Sequence, residues 1–287
     1  MPRKAKQKPK ASIDAHARAV RHSARENEAE AEAPAADPRP EIAPRRNEEA
    51  LAAAARHIRG NEGTDRRDAG GAQRLRAEQE RIKEWGSAKG CLISRAELER
   101  LGIISNSTSE HEVRGRPADD CVVKTTWPGF YGQVPVWQDG KIGRVAALPS
   151  QYLERQLLQN AIFNSAIVLE GVMLSDTPSM IIGEPTGQPS FVISQPFIKA
   201  LNPVAPGPNE SQIATFLSAH GFEQVPGSYF GWQRVADGVV ILDERRDNFI
   251  LSAEGVIPID LQMAIIPEIF RAKIPRKRAA KSRRRTA

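Results

Sequence analysis

The sequence predicts an α+β fold in residues 89–270, and three observations lead to this prediction. Short runs rich in Val, Ile and Phe, separated by Gly and Pro, are typical of strands joined by turns. After the first of these runs, Leu153, Leu157 and Ile162 repeat at helical spacing, which indicates an amphipathic helix that packs on a sheet. A capped helix that begins at Asn209 precedes four further short strand candidates. We therefore expect a strand-rich first part and a smaller second part in one compact domain.

The segments that flank this domain have a different composition. Residues 1–46 are nearly all Ala, Pro, Glu, Arg, Lys and other polar types, which bury too little apolar surface to offset the entropy lost on ordering. We expect them to form a disordered charged tail. Residues 47–88 are predicted to be a helical linker of two helices, the second mostly exposed. Residues 271–287 are expected to be a basic disordered tail.

The net charge of +6 in this chain of 287 residues is concentrated in the tails. Basic runs can bind nucleic-acid phosphates weakly, but a solvated tail is the interpretation we favour. The two cysteines, Cys91 and Cys121, have no metal-ligand spacing and fit a reduced compartment. No apolar run is long enough to span a bilayer, so we expect a cytoplasmic protein with no membrane contact.

The most informative segment of the sequence is residues 239–261. An apolar run ends at Asp243, a charged loop follows, and Asn248 lies five residues after that aspartate. A second strand candidate follows, and a third apolar run ends at Asp260. This order and spacing resemble the catalytic and metal-binding loops of the protein-kinase-like fold. The resemblance implies that Asp243 is the catalytic base, and that Asn248 and Asp260 hold Mg²⁺ through hard oxygen ligands.

Upstream segments extend the resemblance. Lys124 ends a Val-rich run, like the kinase lysine that contacts the nucleotide phosphates, and the resemblance gives it a catalytic and ATP-binding role. Glu154, on the next helix, is implied to pair with that lysine. Ser194 and Gln195 fall where the family places the hinge whose backbone contacts adenine. Residues 106–112 occupy the position of the phosphate loop, but Ser and Thr replace its glycines.

Together these segments resemble the kinase domain found in polyvalent proteins of phages and mobile elements. The resemblance covers about half the chain and implies a minimal two-lobed kinase-like fold with a truncated C-lobe. The implied activity is ATP-dependent transfer of the γ-phosphoryl group to a hydroxyl acceptor, with a protein as one candidate acceptor. Two alternatives remain: a catalytically weak, pseudokinase-type nucleotide-binding module, and a nucleic-acid-associated accessory protein that acts through its basic tails. His111 is assigned to a turn, where its acidic neighbours satisfy it.

Overall fold

The structure, a computed structural model, describes residues 43–60, 70–105, 110–176, 186–225 and 231–271. The N-terminal tail up to residue 42, the C-terminal tail from residue 272, and residues 106–109 of the expected phosphate loop lie outside the described residues. A strand expected at residues 180–182 also lies outside them. The described residues confirm a mixed α+β fold with antiparallel sheets.

Six α-helices occur in the described residues. They are α1 Ala43–Arg59, α2 Gly71–Lys89, α3 Arg95–Glu99, α4 Pro149–Phe163, α5 Glu210–Ala219 and α6 Pro267–Arg271. Local sequence explains several helix ends. Ser94 and Asn209 each form a capping box with the residue three positions later, as their sequence context predicts. Helix α4 begins with Pro149 and ends at Asn164, which adopts the left-handed conformation.

Thirteen strands occur in the described residues. They are β1 Gly102–Ser105, β2 His111–Arg116, β3 Cys121–Thr126, β4 Gln133–Gln138, β5 Lys141–Ala146, β6 Val168–Leu174, β7 Pro189–Pro196, β8 Glu223–Gln224, β9 Gly231–Arg234, β10 Val239–Leu242, β11 Phe249–Ser252, β12 Gly255–Pro258 and β13 Gln262–Ile265. A five-stranded antiparallel sheet has the order β1-β2-β3-β7-β6, and a four-stranded sheet has the order β13-β10-β9-β8. Strands β4–β5 and β11–β12 form two separate hairpins.

Helix α4 contributes to two of the hydrophobic cores in the described part of the protein. Its residues Tyr152 and Leu153 are fully buried in a core shared with β6 and β7 of the five-stranded sheet. Leu158 and Ile162, one and two turns later, pack on a second core built from α5, β9, β10 and β13. Because one helix contributes to both cores, it ties the large sheet to the small one and fixes the space between them.

The structure revises the expected boundary at residue 89. Leu51 and Ile58 of α1 and Ile82 of α2 are completely buried in the first core, beside Tyr152 of α4. The helices of residues 47–88 are present, but they are packed elements of the domain rather than a linker. The apolar stripe of α1 is made largely of alanine, which the composition of this segment made easy to underestimate. No helix in the described ranges has both the length and the apolar character needed to cross a bilayer.

Candidate functional site

A cleft of about 560 Å³ lies between the five-stranded sheet and the second part of the domain. Its lining includes the four side chains that the motif analysis singled out from distant parts of the sequence: Lys124, Asp243, Asn248 and Asp260. Strand β3 supplies the lysine, the loop after β10 supplies Asp243 and Asn248, and the turn after β12 supplies Asp260. The structure therefore brings side chains from three separate elements to one cavity.

Lys124 is buried at the floor of this cleft, with 6% of its surface exposed. Its Nζ donates a hydrogen bond to the carbonyl oxygen of Ile259 at 2.5 Å, next to Asp260. Burial lowers the pKa of Lys124, while the neighbouring carboxylates of Asp260 and Glu110 act in the opposite direction. An ammonium group held this way has one backbone acceptor and favours additional anionic partners in the cleft.

The loop after β10 holds Asp243 and Asn248 in contact. The Nδ2 atom of Asn248 donates to the carbonyl oxygen of Asp243 at 2.6 Å and to its Oδ2 at 3.1 Å. Arginines approach the same carboxylate from the other side: Arg245 Nε lies 2.9 Å and Arg144 Nη1 lies 4.0 Å from Oδ1. The carboxylate of Asp243 is thus oriented by an amide and partly neutralised by two guanidinium groups.

Asp260 lies among three cationic or ionisable groups. Its Oδ2 lies 3.6 Å from Nδ1 of His111, and its Oδ1 lies 3.7 Å from a guanidinium nitrogen of Arg155. Burial alone would raise the pKa of Asp260. The hydrogen bond and charge of His111, together with Lys124 and Arg155, reverse that effect and hold the pKa well below its usual range. Asp260 is therefore an anion throughout the physiological pH range.

The charged pair beside Asp260, Glu110 and Arg155, was not predicted from the sequence. Arg155 of α4 is 1% exposed, and its two terminal nitrogens donate to the two carboxylate oxygens of Glu110, one of them at 3.1 Å. His111 is also buried, and its Nε2 lies 2.9 Å from the hydroxyl of Tyr152. The helical spacing of Tyr152 and Arg155 was the available signal, because residues three apart share one face of a helix.

The structure does not bring Glu154 to Lys124, contrary to the sequence expectation. The carboxylate of Glu154 pairs instead with the guanidinium of Arg59 on α1, and Glu154 does not line the cleft. The reason is helical geometry: consecutive residues differ by about 100° around the axis, so Arg155 rather than Glu154 faces the cleft. The sequence predicted that α4 supplies a carboxylate, Glu154, to an ion pair with Lys124. In the structure α4 instead supplies a cation, Arg155, to an ion pair with Glu110.

The two hinge residues have different positions. Gln195 lines the cleft, as does Pro196 at the end of β7. The side chain of Ser194 does not line it, because its hydroxyl donates to the carboxylate of Glu170 on the neighbouring strand β6. Successive side chains of a strand point to opposite faces, which explains why only one of the pair faces the cleft. A nucleotide contact by Ser194 would have to use its backbone.

The oxygen ligands at the cleft suit a hard divalent cation. The amide oxygen of Asn248 and the carboxylate of Asp260 are the kind of ligands that Mg²⁺ prefers, and both residues line the same cavity. Glu110, His111 and Asp260 also lie within 4.8 Å of one another. In this group, the guanidinium of Arg155 already compensates the negative charge of Glu110. Asn248 and Asp260 thus offer, in one cavity, the oxygen ligand types that a hard divalent cation would take.

A second cavity of about 730 Å³ lies on another side of α4. Strands β4 and β13 contribute apolar side chains to it, and Glu154 and Arg59 line one part. Among the residues with sequence-predicted roles, Glu154 alone lines this cavity, so its size does not make it the better candidate for the chemistry.

No family model matches this chain, and no curated protein or solved structure matches it.

Proposed function

We propose that this protein binds Mg-ATP in the cleft and transfers the γ-phosphoryl group to a hydroxyl acceptor, within a two-lobed protein-kinase-like fold with a small second lobe. The observation that carries the proposal is the convergence of Lys124, Asp243, Asn248 and Asp260 on one cavity from three separate elements. Phosphoryl transfer requires little covalent chemistry from the protein and depends mainly on positioning and charge. A buried lysine, a held amide and two carboxylates supply those requirements.

Each of the four residues has a role in this proposal that follows from its surroundings. Lys124 binds the phosphates, because its buried ammonium lines the cleft and, among the described residues, donates to one backbone acceptor, the carbonyl of Ile259. Asp243 accepts the proton of the attacking hydroxyl, and Asn248 orients the carboxylate of Asp243. Asn248 and Asp260 would hold Mg²⁺, which supplies charge neutralisation at the phosphates when it is bound.

One observation favours a second function, nucleotide binding without transfer. The carboxylate of Asp243 is engaged by Arg245 at 2.9 Å and by Asn248 at 3.1 Å, which reduces its availability as a base. In addition, the segment of residues 106–112 contains no glycine, so it lacks the glycine-rich sequence that lets a backbone approach phosphate closely. A pseudokinase-type module would use the same cleft and the same lysine.

Incubating the purified protein with γ-labelled ATP, Mg²⁺ and a generic protein acceptor tests both functions. We expect label transfer that falls about 100-fold or more in Asp243→Asn, since a positioned base contributes at least that factor. Thermal stabilisation by ATP should require Mg²⁺, persist in Asp243→Asn and disappear in Asp260→Ala, because only the second substitution removes a metal ligand. Stabilisation without label transfer would indicate the non-catalytic module. No Mg²⁺-dependent stabilisation in the unsubstituted protein would contradict both functions.

A further inference from the structure

Arg155 is the most deeply buried charged side chain in the described part of the protein, at 1% exposure. Its guanidinium binds both carboxylate oxygens of Glu110 and lies 3.7 Å from Oδ1 of Asp260. It also lies over the ring of Tyr152, 4.9 Å from the ring centre. One side chain of α4 therefore contacts both the edge of the expected phosphate loop and a candidate metal ligand.

Burying a guanidinium is unfavourable unless anions compensate it. Burial alone would lower the pKa of Arg155, but the charges of Glu110 and Asp260 raise it above its usual value. Moreover, Nε of Arg155 is buried with no hydrogen-bond partner among the described residues. A well-packed apolar pair usually stabilises a fold at least as well as such an ion pair, so stability alone is a poor explanation for this one.

The position of the pair suggests a different role. Arg155 occupies both oxygens of Glu110, and the same guanidinium lies beside the carboxylate of Asp260. The ammonium of Lys124 donates to the carbonyl of Ile259, the residue before Asp260.

The next turn of α4 contacts the backbone on either side of Asp260. Gln159, four residues after Arg155, donates from Nε2 to the carbonyl of Pro258 at 3.3 Å. Its Oε1 accepts a hydrogen bond from the backbone N–H of Leu261 at 3.4 Å. Asp260 is thus bracketed by contacts from two residues on one helical face, which are neighbours because they are four apart.

We propose that Arg155 is the positioning residue of this cleft: held by Glu110, it keeps the carboxylate of Asp260 in the metal-binding orientation. This inference rests on the proposed Mg-ATP function. It assigns to Arg155, together with Glu110, the organising role that the sequence had suggested for Glu154. Arg155 acts through Asp260 and needs no contact with the nucleotide.

The test compares Arg155→Met with the double variant Glu110→Gln/Arg155→Met. The single variant leaves the carboxylate of Glu110 buried without its guanidinium partner, so it should be strongly destabilised. The double variant removes both charges and should recover most of the unfolding free energy. A purely structural pair predicts that activity recovers together with stability. A positioning role predicts that the double variant remains about 10- to 100-fold lower in kcat, as is typical when an outer partner of a metal ligand is lost.

The control removes another arginine–carboxylate pair, Arg234 and Asp237 at the β9–β10 turn, which lies outside the cleft and is more exposed than the Glu110–Arg155 pair. The variant Arg234→Met/Asp237→Asn should keep kcat within a factor of two.

A third variant, Arg155→Lys, retains the positive charge without the bidentate contact to Glu110. It should therefore keep Mg-ATP binding better than Arg155→Met does. A stable Glu110→Gln/Arg155→Met variant with unchanged kcat would overturn the positioning role while leaving the proposed function intact. An unsubstituted protein with neither transfer nor Mg²⁺-dependent ATP binding would overturn both.

Discussion

Asp243 has a backbone conformation that few residue types adopt. Its φ of 65° is in the left-handed region, which Asp tolerates better than most side chains do. The Nδ2 group of Asn248 donates to both the carbonyl and the carboxylate of Asp243, so one amide fixes the backbone turn and the side-chain direction together. The five-residue interval between the two residues is therefore a structural requirement of this loop as well as part of the candidate site.

Replacing Asn248 should test this coupling. Asn248→Ala removes both hydrogen bonds from a residue that is 8% exposed, and we expect it to lower the free energy of unfolding by about 1–3 kcal/mol. Asp247→Ala, at the exposed neighbouring position, should change it by less than about 0.5 kcal/mol. Urea denaturation of both variants provides the measurement. Equal effects of the two substitutions would show that Asn248 does not support Asp243.

Lys124 gives the protein a specific dependence of stability on pH. Because burial lowers its pKa in the folded state, the unfolded chain binds more protons than the folded one as pH approaches the ordinary lysine value of 10.5. The contribution of this residue to folding stability therefore becomes more favourable as pH rises through that range. The carboxylates of Asp260 and Glu110 limit the effect because they favour the charged lysine.

Lys124→Met removes this titration while preserving most of the side-chain volume. We expect the unfolding free energy of the unsubstituted protein, measured relative to that of Lys124→Met, to rise between pH 7 and pH 10. Urea denaturation of both proteins at several pH values checks the sign. The control is Lys83→Met, because Lys83 forms an exposed pair with Glu80, and its curve should run parallel to that of the unsubstituted protein. A difference that falls with pH would mean that the ion pairs, not burial, dominate the pKa of Lys124.

At the scale of elements, local signals in the sequence predicted helix ends reliably, whereas contacts between distant segments were harder to predict. The capping boxes at Ser94 and Asn209 were predictable because the two partners lie three residues apart and need no other element. The pairing of Lys124 could not be predicted with the same accuracy. It depends on how α4 is rotated against a strand some 30 residues earlier, and a rotation of one residue exchanges Glu154 for Arg155.

Motif spacing succeeded where a long-range contact follows from strand geometry. Asp243 and Asp260 each follow the end of a short apolar strand, and the structure brings both to the cleft with Lys124. The sequence suggested a turn histidine satisfied by its acidic neighbours, whereas His111 is the buried first residue of β2. Its main neighbours in the structure include Tyr152 and Asp260, which are far away in sequence. Such contacts appear only once the helix has docked on the sheet.

The turn before β4 brings backbone close to the Glu110 carboxylate. Gly132 has a φ of 73°, and a Cβ atom added there would overlap the carboxylate of Glu110. Gly140, in the β4–β5 turn, has a similar φ of 76°, but no atom lies within 4 Å of the position of an added Cβ. The two glycines therefore provide a matched pair with equal backbone strain and different contacts.

Gly132→Ala should destabilise the protein considerably more than Gly140→Ala does. The second substitution imposes only an unfavourable backbone conformation, at about 1 kcal/mol. The first also displaces Glu110 from Arg155, and disruption of a buried charge pair costs about 3–5 kcal/mol. Urea denaturation gives both values, and Mg²⁺-dependent stabilisation by ATP should be lost in Gly132→Ala alone. Similar losses of stability in the two variants would show that Glu110 adapts to the added methyl group.

At the scale of the whole molecule, the first core joins segments that the composition of the sequence separates. Leu51 and Ile58 from α1 and Ile82 from α2 pack with Tyr152 and with Phe191 of β7. Since Tyr152 stacks on Phe191 and also lies next to His111, the packing of the N-terminal helices continues to the wall of the cleft. The stability of α1 and α2 should therefore be inseparable from that of the site.

Leu51→Ala tests whether the N-terminal helices and the rest of the described domain unfold together. Leu51 is fully buried, so we expect its truncation to lower the unfolding free energy by about 2–5 kcal/mol. His57→Ala, on the exposed face of α1, is the control and should change it by less than about 0.5 kcal/mol. If the domain is cooperative, far-UV circular dichroism and tryptophan fluorescence will report one coincident transition, shifted as a whole in Leu51→Ala. Two transitions, with only the first one shifted by the substitution, would mean that α1 and α2 unfold independently. The cleft would then keep its geometry without them, and the packing contacts from Leu51 through Tyr152 to His111 would contribute no coupling free energy between α1 and the cleft.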